Sequence, residues 1–84
     1  MQIFIKLATR DYTRLRSHIT FHSVAHEAIE KATWIEHSLD GLLFAGYSIP
    51  CNPEQARTIL ETAKGCCPEM ISTIEQAISR SHQG

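Results

Sequence analysis

"RLRSHITFHS", residues 14–23, decides the fold. Read as a helix, it starts a column of histidines, His18, His22 and His26, each four residues or about 6 Å from the next. That spacing suits one metal ion or a pH-sensitive cluster. Read as a strand, it alternates. Leu15, Ser17, Ile19 and Phe21 then point one way, and Arg14, Arg16, His18, Thr20 and His22 the other. Four residues along a strand cover about 13 Å, so His18 and His22 would share no ion within one chain.

Phase separates the two readings. On a helical wheel, Leu15 and Ile19 fall opposite the stripe formed by Ala28, Ala32, Ile35 and Leu39. One continuous helix would carry an apolar face that changes sides, so the chain must break near Thr20–Ser23. Before that break the alternation favours a strand over residues 14–22 with a cationic outer face. After it, Ser23 is read as the N-cap of a helix over 24–39, ended by Asp40-Gly41.

Working outward, residues 2–8 alternate as a β-strand, with Ile3, Ile5 and Leu7 on one side. Leu42–Ile49 is apolar on both faces and reads as a buried strand, Gly46 marking a bulge or a close backbone approach. Asn52, Pro53 and Gln55 form a helix-start signature. A second helix begins at Pro68 and carries Met70, Ile71, Ile74, Ala77 and Ile78 on one face. The short link makes the two helices antiparallel neighbours. The predicted architecture is α+β, ββαβαα, with a three-stranded sheet in the order 2-1-3 and an all-α fold as the alternative. Phe4, on the second face of the first strand, favours placing the terminal helix pair over that face.

The 84 residues make one small domain. Net charge is −1, so overall charge names no partner. Its distribution is uneven: residues 1–22 hold Lys6, Arg10, Arg14 and Arg16 against Asp11 alone, and the remainder is acidic. Three cysteines, two of them adjacent (Cys66 and Cys67), do not form a disulfide framework and point to a reducing cytoplasm. "MQIFIKLAT" is too short for a secretory signal and contains Lys6. No apolar run approaches the ~20 residues that span a bilayer.

No catalytic, metal or cofactor motif appears. Cys67 stands at the head of the last helix, where a thiolate is favoured, but it also lies on that helix's apolar line. The sequence therefore points to a small non-catalytic interaction protein: an adaptor, inhibitor or regulator that binds another protein or a nucleoprotein complex. Compact accessory proteins of bacteria and their phages have this character. The candidate contact residues are Arg14, Arg16 and His18 on the basic strand with Arg10 nearby in the preceding turn, and Trp34 as an interface anchor rimmed by charges. The alternatives are nucleic-acid binding by the basic N-terminal hairpin and a histidine-based metal or pH response. Pairing of the exposed edge strand is the expected route to a homodimer.

Overall fold

In a computed structural model the chain is described over residues 2–39 and 41–83, excluding the side chains of His37, Leu39, Leu42, His82 and Gln83. The elements are β1 (Ile3–Ala8), α1 (Thr9–Ser17), α2 (His26–Glu30), β2 (Thr33–Leu39), β3 (Leu42–Cys51), α3 (Pro53–Cys66) and α4 (Ile71–Gln83), with a 3₁₀ turn at Pro68–Met70. The α+β class, the three-stranded sheet and the closing helix pair are as expected. The sheet is wholly antiparallel in the order β1-β3-β2, so the third strand, not the first, is central.

Two elements differ from the sequence expectation. Residues 9–17 are helical, and the second strand lies at 33–39 instead of 14–22. Tyr12, Leu15 and Ile19 are all buried, at spacings of three and four. That is a helical stripe, and it outweighs an alternation whose last member, Phe21, is 83% exposed. Asp11 in the first turn and Arg14 and Arg16 in the last also match the helix dipole. The expected break is present: residues 18–25 form no regular element between α1 and α2.

The helix expected over 24–39 is confined to His26–Glu30. Its N-cap is Ala25, without a side-chain cap, and not the expected Ser23, whose Oγ instead accepts from the Ala25 N–H at 3.1 Å in the turn preceding this helix. Beyond it, Thr33, Trp34 and Ile35 are poor helix formers and good strand formers. Leu39 pairs with Leu42, so the chain at Gly41 joins two strands instead of ending a helix; Asp40, the other residue of the expected helix end, lies outside the described residues. Gly41 has φ of 80°, the left-handed conformation that such a turn requires.

Gly46 is a close backbone approach, as read from the sequence. A Cβ there would lie 2.1 Å from the Leu7 carbonyl oxygen. Where β1 turns into α1, its backbone presses directly on β3.

The core lies on one face of the sheet. Ile3, Ile5, Leu7, Ile49 and Cys51 from the strands meet Leu15, Ala28, Ile29, Ala56, Ile59, Ala63, Met70 and Ile74 from the helices. Asn52 caps α3 in a full capping box, its side chain accepting from the Gln55 N–H at 2.7 Å while Gln55 Oε1 accepts from the Asn52 N–H. α4 packs against β1 and α3. The helix pair therefore extends the single helical layer and does not cover the second face, where Phe4 remains 52% exposed. Among the described residues, no helix is long and apolar enough to cross a membrane.

Candidate functional site

Helix α1 distributes the basic residues to two sides of the molecule. Arg14 turns toward the α3–α4 corner. Its guanidinium makes an ion pair with Glu69, and Nη2 donates to the Cys66 carbonyl at 3.5 Å. Arg10, one turn earlier, adds its field at Glu69. Hydrogen bonds from its own backbone amide and from Arg14 hold the Glu69 carboxyl below the usual carboxylate range. Arg16 lies on another side of the helix and lines a groove with Tyr12 and Tyr47. His18 caps the C-terminus of α1 and is exposed. The single cationic stripe expected on a strand is thus divided, and its Arg10–Arg14 half is occupied by an internal acid.

The groove has a volume of about 490 Å³ and runs between α1, α2 and the central strand. Rings dominate it. Tyr12 and Tyr47 stack with centroids 4.2 Å apart, and Trp34 meets Tyr47 edge-on at 5.4 Å. On the opposite rim, Phe21 stacks on His26 at 4.6 Å. Tyr12 Oη donates to the Ile29 carbonyl at 3.1 Å, fixing α1 to α2. Burial raises the Tyr12 pKa, opposed by the nearby Arg16. His26 Nδ1 lies 2.9 Å from Glu30 Oε1, so that rim carries an acid–imidazole pair. Arg16 has no carboxylate within ion-pair distance among the described residues.

Trp34 is 51% exposed and stands on β2, not on a helix. It belongs with Arg16 through their shared neighbour Tyr47. Of the five candidates only Arg16 lines the groove; Trp34 stands beside it against Tyr47, and Arg10, Arg14 and His18 lie elsewhere. Phe21, His26 and Tyr47 are groove residues that the sequence reading did not select. The Asp40-Gly41 dipeptide could have found one of them: read from the sequence as a two-residue hairpin loop, it fixes a register in which Trp34 lies opposite Tyr47, as observed.

The histidine column does not form. His18 ends α1, His22 is exposed in the following segment, and His26 begins α2. Among the described residues, no three His, Cys, Asp or Glu side chains converge to hold a metal ion. Cys51 is buried under β1 and donates to the Ile3 carbonyl at 3.4 Å. Burial pushes its thiol up to about 11. What the groove can do with these groups is recognition: flat apolar surfaces, one available guanidinium and one carboxylate.

No protein-family model, curated protein or solved structure matches the chain.

Proposed function

We propose that this chain is a small, non-catalytic interaction protein of the cytoplasm that docks a protein partner on the groove and the adjoining hairpin face. The observation that carries this reading is the grouping of Trp34 and Phe21, both largely exposed, around a groove holding the available Arg16. Aromatic and arginine side chains of this kind dominate binding energy at protein interfaces. Leu43, 67% exposed, continues the same face of β3 two register steps beyond Ala45 and Tyr47. The occupant we infer is a protein segment with an apolar side chain for the groove and a carboxylate for Arg16.

The test is site-specific photo-crosslinking in cells, with the reactive group at position 21 or, as a control, at position 57 on the exposed side of α3. A discrete protein adduct from position 21, lost on Arg16→Glu or Trp34→Ala and retained on Arg14→Glu, is the expected result. Equal adducts from both positions, or none, would discard this surface.

The rings and Arg16 also resemble a stacking platform for single-stranded nucleic acid. Glu30 in the groove and the pairing of Arg14 with Glu69 weigh against it. Anisotropy of labelled oligonucleotides in low salt separates the two readings, since phosphate binding falls steeply as salt rises. The outer edge of β2 is the route to a homodimer, being unpaired in the sheet. Light scattering at high protein concentration measures that directly.

A further inference from the structure

We infer that Cys66 and Cys67 form a redox modification site, in which a peroxide converts the adjacent thiols into a reversible vicinal disulfide. The two Sγ atoms already lie 3.0 Å apart, well inside van der Waals contact. A disulfide needs ~2.05 Å, so closure requires a movement of about one ångström. Cys66 is half-buried and gives the oxidant access, while Cys67 is fully buried beside it. The two are thus placed as attacking and resolving thiols of one site. Cys51 is buried at the end of β3, in a different part of the core.

The chemistry closes without a metal or cofactor. Cys66 gives up its proton, its sulfur bonds to one peroxide oxygen, the O–O bond breaks, and the departing hydroxide takes up that proton and leaves as water. The Cys67 thiol, which burial pushes up to about 11, then attacks the sulfenic sulfur while passing its proton to the departing oxygen, the S–O bond breaks, and a second water leaves. Two thiols lose two electrons and the peroxide gains them.

Backbone geometry makes the product labile. Adjacent Cα atoms are held about 3.8 Å apart, below the roughly 4.4–6.8 Å that unstrained disulfides span. Strained bonds have higher reduction potentials and are the regulatory kind, which suits a thiol-rich compartment. The strain falls on a defined corner. The Cys67 N–H donates to the Ala63 carbonyl at 2.8 Å, and the Cys67 carbonyl accepts from the Met70 N–H at 3.0 Å. Arg14 clamps the same corner through Glu69 and the Cys66 carbonyl. Ring closure therefore loosens the end of α3 and the start of α4.

The test is intact-mass analysis of the folded protein after mild hydrogen peroxide, followed by alkylation and peptide mapping. The expected result is a loss of about 2 Da confined to the peptide holding Cys66 and Cys67. Cys51 stays alkylatable after unfolding, dithiothreitol restores the lost mass, and the oxidised form has a lower Tm. Cys66→Ser, at the half-buried position, should abolish the loss. Oxygen adducts on Cys66 alone, chain-to-chain disulfides, or a link to Cys51 would each overturn the proposal, and the wild-type map reads all three even if the variant folds poorly.

Discussion

The two ends of β3 are built alike and used differently. At its C-terminal end, Ile49 and Cys51 pair with Ile5 and Ile3 and are covered by helices, with almost no surface left open. At its N-terminal end, Leu42–Ala45 pairs only with β2, and Leu43 remains two-thirds exposed. Both ends are apolar. One end stabilises the fold, and the other leaves apolar area exposed, where we propose a partner docks. Truncation tests this most severely. Ile49→Ala leaves a cavity under the helices and should cost about 2–5 kcal/mol, a large share of a small domain's stability. Leu43→Ala should change stability by less than about 0.5 kcal/mol. Denaturant midpoints compare the two, and similar losses would mean that the hairpin end also belongs to the core.

The boundary between those ends is Gly46, and its substitution sharpens the contrast. A methyl group there meets the Leu7 carbonyl and the Ala8 Cα, backbone atoms that cannot rotate away. Gly46→Ala should therefore force β1 off β3 and cost about 1–3 kcal/mol or more. Gly41→Ala differs in kind. Nothing lies within 4 Å of its added Cβ, and only the φ of 80° opposes it. Its cost should be nearer 1 kcal/mol, borne by the turn and not by the core. Thermal melts of the two variants rank them directly.

The packed end was also the legible end. Asn52, Pro53 and Gln55 specify where α3 starts through contacts within four residues, and the capping box forms as written. Asn52→Ala should cost about 1 kcal/mol, visible as a modest drop in Tm. The groove end was harder to read because its elements depend on distant partners. α1 is nine residues and α2 five, too short to be stable on local propensity alone. What makes Tyr12 helical and buried is Tyr47, which stacks on it from β3. The local alternation of residues 14–22 could not report that contact. Asp40-Gly41 was the one local signal that could have. Read as a hairpin turn, it places Trp34 beside Tyr47. Arg16 shares a groove with Tyr47, the neighbour of Trp34, while Arg10 and Arg14 separate from them because Glu69 lies on the other side of α1.

That division of the arginines gives the smallest effect and the cleanest sign. The folded-state pKa of Glu69 is lowered, so its contribution is fully present above the unfolded carboxylate value of about 4.3. It is lost as pH falls through the lower folded value. Both partners of the pair are solvent-accessible, so salt screens the effect and keeps it small. Glu69→Gln should leave a stability-versus-pH curve that differs from the native one by a constant above pH ~5 and converges with it on the acid side. Arg14→Gln should flatten the same acid limb, because it removes a group that holds the carboxyl down. Arg16→Gln should leave that limb unchanged while weakening partner capture. Urea melts from pH ~3 to ~7 in low salt read all three variants. If Arg16→Gln altered the acid limb as Arg14→Gln does, the two arginines would share one electrostatic site, and the separation of a structural from a binding side of α1 would fail.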